Sequence, residues 1–414
     1  MEKLAQMDLS ALAEHKFACL CGKNHAAKAH VLYGDASESL KAVLEKIAPM
    51  SKAALLCTRD AFYAEGERWM RAVRNAGATP LNVILAKKFD NALENIGGLF
   101  SLPDDVRAVI VFESALYDVA SYFSALKNLP AVYIARSAEA ENMLSPVVFL
   151  KIRSKTEFIY ADNEKYVLID PASITAGKSA AAAFASLSSA IVSLIDYRVR
   201  GVFTGEYCSE SYNLARAAIS SAVNAAASEN APLELLEARI RLAVAETYTD
   251  GKILRGGENA VAEFLEAAGK APFSFAERKF FAALKLIDIY HAFFSLPHGK
   301  DMRVPDYVCR AKEVAAATGA KESVVLEGIL KTAAAVSDER VKETGAQLLF
   351  EIEALKNLTG KFAATYYALG GNKDLFKNYA PEEVRRAVFY APDLPETFSV
   401  LTLMRESGAL EYLL

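Results

Sequence analysis

The stretch "AVIVFESALYDVASYF", Ala108 to Phe123, decides the fold of this chain. Val109 to Phe112 is a continuous apolar run of the kind that fills a parallel strand covered on both faces. Leu116, Val119, Ala120 and Phe123 then recur at helical spacing. A strand entering a helix through a short turn is the unit of a nucleotide-binding α/β sheet, where glycines let the backbone approach a phosphate. Here the turn is Phe112-Glu113-Ser114-Ala115, without a glycine.

Outward from this unit, residues 30 to 170 alternate apolar strands and helices: "HVLYG", a helix from Glu38 to Ile47, "AALLCT", a helix from Ala64 to Ala76, "LNVIL" and "AVIVF". The alternation predicts a parallel, Rossmann-like sheet. "PAVYIA" follows, and "SPVVFLKI", "EFIYAD" and "KYVLID" read as a hairpin-like insertion or a sheet edge. Beyond Ser179 apolar residues recur at helical spacing, as in Phe280, Phe281, Leu284, Ile287, His291 and Phe294. The expected organisation is an α/β domain over 1–178 and an all-α domain over 179–414, with a ligand cleft between them.

The 414 residues are 53% hydrophobic and 24% charged, which excludes a disordered chain. The net charge of −4, with both signs mixed throughout, gives no basic surface for nucleic acid. The first 17 residues carry dispersed charges, so they read as neither signal peptide nor anchor, and a cytoplasmic protein is expected. Ala180 to Ile195 lacks charges, but it is shorter than the roughly 20 residues that span a bilayer and holds four serines. It reads as a buried helix of small residues. Five scattered cysteines, at 19, 21, 57, 208 and 309, form no disulfide framework.

The densest set of metal-ligating types is Cys19, Cys21, His25 and His30 in "FACLCGKNHAAKAH". Thiolate and imidazole suit zinc, although C-x-C is tighter than the usual spacing, and the competing reading is a docked apolar segment. His291 falls on an apolar helix face and reads as a hydrogen-bonded core residue; His298 in "LPHGK" reads as solvated.

The motif Phe17-x-Cys19-x-Cys21-Gly22-x-x-His25 and the opening "YGDASESL" resemble the bacterial sn-glycerol-1-phosphate dehydrogenases, a branch of the iron-containing alcohol dehydrogenase and dehydroquinate synthase superfamily. "AEGERW", "YDVASYFSALKNLPAVYI", "TGEYCSESYNLA", "GGENAVAEFL" and "ETFSVLTLMRESGALEYL" agree in order, so the resemblance spans nearly the whole chain. It implies a dehydroquinate synthase-like fold and NAD(P)H-dependent reduction of dihydroxyacetone phosphate at a divalent metal.

The residues that would perform this reaction depart from the family pattern. Its turn G-x-G-T-x-x-D-x-x-K, aligned through Asp118, places Phe112 and Ser114 at the glycines, Ala115 at the threonine and Ser121 at the lysine. A Cβ and a benzyl group are then expected where the pyrophosphate would lie. P-T-x-x-S-x-D-G becomes "ARSAEAEN", with Glu141 at the aspartate and Arg136 at the threonine; Arg136 either binds a phosphate or carboxylate in the cleft or, the more common case, pairs with a local acid such as Glu139. The three metal-ligand positions fall on Ser186, Asn259 and Phe275, or Ser274 in place of Phe275, and none supplies the donors a tightly held metal needs. "LPETFS" puts Pro395 and Glu396 where an arginine is expected. Asp60 either meets a ribose or caps the following helix.

Two readings follow. In the first, the chain has lost metal-dependent reduction, binds no nucleotide or metal, and serves as a binding or partner subunit, for a phosphorylated metabolite or an intact paralogue in a homo- or hetero-oligomer. In the second, it is an oxidoreductase working without metal through Asp118, Glu141 and Arg136, or one that keeps NAD(P)H and a divalent cation.

Overall fold

The computed structural model describes residues 3–85, 96–138, 143–152, 155–174, 178–267, 273–295, 306–334, 336, 338–393 and 398–414. The chain divides into two compact units, one of residues 1–183 and 213–251, the other of residues 184–212 and 252–414.

The first unit is built on a six-stranded parallel sheet. A short antiparallel hairpin, β1 (Lys16–Ala18) and β2 (Asn24–Ala26), precedes it. The sheet comprises β3 (Ala29–Tyr33), β4 (Lys52–Thr58), β5 (Thr79–Leu85), β6 (Val106–Val111), β7 (Ala131–Ala135) and β10 (Lys165–Ile169), in the order β3-β10-β7-β6-β4-β5. β8 (Val147–Ile152) and β9 (Lys155–Tyr160) form a separate antiparallel pair, the hairpin that the sequence suggested. "KYVLID" corrects the reading. β10 lies inside the sheet between β3 and β7, and all five of its residues are buried.

Helices cover the sheet because their apolar stripes match it. The helix Ala36–Ile47 buries Ala36, Leu40, Val43 and Leu44, an i, i+4, i+7, i+8 stripe, and Asp35 caps it by accepting the N–H groups of Ser37 and Glu38 at 2.9 and 3.0 Å. The segment after β4 forms a short helix Arg59–Ala61, a π-turn Phe62–Gly66 and the helix Glu67–Asn75, rather than one helix from Ala64. Glycine fits at position 66 of this turn because a Cβ there would lie 2.5 Å from the Phe62 ring. The helix Tyr117–Lys127 returns from β6 and ends at Asn128 in the left-handed conformation.

The second unit is helical among its described residues. Its helices include Gly257–Ala267, Phe275–Ser295 and Val400–Glu406. The charge-free segment at Ala180 belongs to a 27-residue helix, Lys178–Thr204. It is long and apolar enough to cross a membrane, yet 89% of its most apolar window is buried inside the protein, the property of a core helix.

Candidate functional site

The direction of winding reverses between β4 and β6. β4 is followed by β5 on one side of it, whereas β6 is followed by β7 on the other. In doubly wound sheets the crevice at the carboxyl ends of such a strand pair takes the ligand. Thr58 ends β4 and caps the helix Arg59–Ala61, its hydroxyl accepting the Ala61 N–H at 3.4 Å. Glu113 follows β6 and reaches across to it. Its Oε2 accepts the Thr58 N–H at 2.6 Å and its Oε1 accepts the Thr58 hydroxyl at 2.8 Å. A carboxylate of the chain itself thus occupies these two donors at the carboxyl ends of β4 and β6.

Phe112 does not stand in the crevice. It lies on the same strand face as Ala108 and Ile110, is 4% exposed, and its ring is 6.0 Å from that of Trp69 in the core. The expectation that its benzyl group blocks a pyrophosphate is therefore corrected: the carboxylate next to it takes the N–H group, while Ser114 begins a 3-10 turn that continues through Ala115 to Leu116. These residues do not fit a dinucleotide pyrophosphate. Asp60 is exposed in the first turn of its helix, and the cap is Thr58 rather than Asp60. Arg136 pairs with Glu65, from the π-turn. Glu139 and Glu141 lie outside the described residues.

Asp118 is buried in the first turn of the helix Tyr117–Lys127. One turn on, the Ser121 hydroxyl donates to Asn163 Oδ1 at 3.3 Å. In the same region is a residue the sequence reading missed, Lys165 at the head of β10. Its ammonium donates to the Ser145 carbonyl at 2.5 Å. Burial pushes its pKa down to about 8, against the pull of Asp162, Glu246 and Asp118. The signal was available in "KYVLID": a lysine joined to an apolar strand that has no exposed face.

In the helical unit, Ser186 and Asn259 are buried and Phe275 is half-buried. Ser186 accepts the Ser189 hydroxyl through its carbonyl at 2.8 Å. Asn259 donates through Nδ2 to the Leu254 carbonyl at 2.6 Å and to Glu258 Oε1 at 3.1 Å. The Phe275 ring faces the cations of Arg278 and Lys279, at 5.7 and 5.9 Å. Ser274, the other reading of that position, caps the same helix by accepting the Glu277 N–H at 3.2 Å. A hydroxyl, a carboxamide committed to internal acceptors and a phenyl ring do not fit a zinc or iron ion.

Two neighbouring carboxyls were also missed. Asp196 caps two helices at once, accepting the N–H of Gly257 and that of Val400, both at 2.7 Å, and the Tyr290 hydroxyl at 3.1 Å. Burial pushes it up to about 7 in spite of these donors. Glu258 accepts from the Ser193 hydroxyl and from Asn259, and burial pushes it up to about 8, Lys279 opposing and Asp196 reinforcing the shift. His291 is half-buried, 3.8 Å from Glu353, and so is a pairing residue at the margin rather than a core one. His298, Pro395 and Glu396 lie outside the described residues.

Cys19, Cys21 and His25 come together at the β1–β2 hairpin, each presenting a ligand atom within 4.8 Å of the others. His30 does not join them. It is in β3, with Nδ1 2.7 Å from Glu14 and Nε2 3.2 Å from Glu164, and it stacks on Tyr166. Both ring nitrogens are committed there.

Solved structures share this architecture. The sulfoacetaldehyde reductase of Bifidobacterium kashiwanohense, solved with NAD+, matches with a TM-score of 0.53 at 14% identity, over 94% of this chain and 98% of that one. A 1,3-propanediol oxidoreductase matches with a TM-score of 0.55 at 13% identity, over 93% and 97%. The glycerol dehydrogenase of Schizosaccharomyces pombe gives 0.51 at 14%, over 81% and 91%. No family model matches the sequence, and no curated protein matches it. At this identity the likeness establishes the fold, that of the iron-containing alcohol dehydrogenases.

Proposed function

We propose that this chain is a glycerol-1-phosphate dehydrogenase-like protein that does not carry out metal-assisted reduction by NAD(P)H, and that it acts as a binding or partner subunit. The observation that carries the reading is the Glu113 carboxylate on the Thr58 N–H and hydroxyl. A second unit charge about 4 Å from it would be repelled by about 4 kcal/mol at an effective dielectric near 20. That is a loss of roughly a thousandfold in affinity. The departures at Ser186, Asn259 and Phe275 support the same reading from the other unit, because they leave the substrate carbonyl without a Lewis acid.

Calorimetric titration of the purified protein with NADPH and NADH, in the presence of zinc, tests it. No heat of binding is expected. Micromolar binding of either nucleotide overturns the reading, and turnover of dihydroxyacetone phosphate with NADPH would establish an oxidoreductase instead. Co-purification with a paralogue that retains the glycine turn and metal ligands is the expected sign of the partner role.

A further inference from the structure

We propose that Cys19, Cys21 and His25 form a binding site for a thiophilic divalent cation of the zinc class, built into the N-terminal hairpin. The site follows from hairpin geometry. β1 and β2 pair Phe17 with His25, so these side chains share a face of the ribbon, and alternation carries that face to Cys19 two residues on. The loop closes with the Cys19 N–H on the Lys23 carbonyl at 2.9 Å and the Gly22 N–H on the Cys19 carbonyl at 3.0 Å. Gly22, at φ +85°, supplies the left-handed step that turns the chain back after Cys21. Cys21 Sγ then lies 3.2 Å from His25 Nε2.

Metal geometry agrees with this arrangement. Zinc bonds of about 2.3 Å to sulfur and about 2.0 Å to nitrogen, at the tetrahedral angle, set donor atoms about 3.5 to 3.8 Å apart. The three atoms here fall within 4.8 Å, and the sulfur–nitrogen pair is within a few tenths of an ångström of that spacing. His25 is also held in place. It is 3% exposed, with its ring 5.2 Å from Phe17 and 5.1 Å from Tyr248, so little rotamer freedom is lost when an ion binds. A water or a further side chain completes the tetrahedron.

A structural ion would add to the contacts that already hold this short hairpin, among them Phe17 and His25 on Tyr248 and Lys23 on Asp250 at 2.9 Å. Its strands have three residues each and its tip residue, Leu20, is 98% exposed. Two-stranded ribbons of this size are marginal in water, and a metal that joins loop to strand contributes its binding energy to their folding. This inference is independent of the proposed function and survives if that reading fails.

The test is cobalt substitution of the full chain after dialysis against chelator. One cobalt per chain is expected, with sulfur-to-cobalt charge-transfer absorption, the intense visible bands of a tetrahedral ion, and displacement by zinc. C19S and C21S each lower the charge-transfer intensity, and His25→Ala weakens binding about tenfold or more. His30→Ala and C309S leave the spectrum unchanged. The wild-type spectrum identifies sulfur ligation by itself, so a variant that fails to fold does not conceal the answer. Cobalt without charge-transfer bands, an unaltered spectrum in a folded His25→Ala, or a Cys19–Cys21 disulfide in the protein as isolated overturns the proposal.

Discussion

Glu113 and Thr58 are 55 residues apart in the chain, yet the carboxylate of one accepts both the N–H and the hydroxyl of the other across the ends of β6 and β4. This contact ties together the two strands between which the winding reverses, using the atoms that such folds commonly offer to a ligand.

Truncation of this carboxylate should therefore be felt as lost stability. Glu113→Ala leaves the Thr58 N–H without its acceptor, and hydrogen bonds to a charged group are worth about 1.5–3 kcal/mol. A loss of about 2 kcal/mol is expected in urea unfolding, with Glu113→Gln recovering part of it. A Glu113→Ala protein as stable as wild type would mean that the contact is dispensable.

Restoring the family's first glycine carries its own cost. The Phe112 ring is packed against Trp69 within the core, so Phe112→Gly removes a whole buried aromatic and frees a backbone the strand must order. Large-to-small changes of this kind cost about 3–5 kcal/mol. Denaturant melts should show that loss, and NADPH titration of the variant should still give no heat, because the Glu113 carboxylate remains. Nucleotide binding by Phe112→Gly alone would show that the side chain, not the carboxylate, governs the crevice.

How much of this was legible in the sequence depended on the range of the interaction. The strands β4, β6 and β7 are buried on both faces over Ala53 to Cys57, Ala108 to Val111 and Ala131 to Ala135 and appear there as unbroken apolar runs, so they could be read directly. The place of β10 could not be read, because its partners β3 and β7 are set by pairing across long segments and a central strand has the same composition as its neighbours. The rotation of Phe112 into the core followed from alternation with Ile110 and Ala108, a period the glycine comparison ignored. His25 and His30 looked equivalent until the chain path separated them: Lys28 adopts a left-handed conformation at φ 46°, ends the hairpin, and delivers His30 to Glu14 and Glu164. Asp196 and Glu258 carry no local motif, and their environment exists only once the helices pack.

Glu258 should give the helical unit a characteristic pH response. Its folded pKa, about 8, lies above the unfolded value of about 4.3, so the native state binds the extra proton between those limits. Stability contributed by the protonated form is complete below about pH 4.3 and declines as pH rises toward 8. Glu258→Gln removes this titration while keeping an acceptor for Ser193. In thermal melts from pH 5 to 8, the stability of Glu258→Gln relative to wild type should increase steadily with pH. Parallel curves would mean that Glu258 is ionised throughout.

Lys165 should produce the opposite slope on the alkaline side. Its folded pKa of about 8 lies below the unfolded value near 10.4, so the unfolded chain holds more protons in that interval. Stability attributable to this residue then rises with pH from about 8 to about 10.4, whereas the buried tyrosines, with pKa values raised by burial, work against it above pH 10. Comparison with Lys165→Met separates the two, since the tyrosines are common to both proteins. The variant loses the bond to the Ser145 carbonyl but no longer buries an amine, and wild type should gain on it as pH is raised from 8 to 10. Equal pH slopes in urea unfolding would show that Lys165 keeps an ordinary amine pKa in the folded sheet.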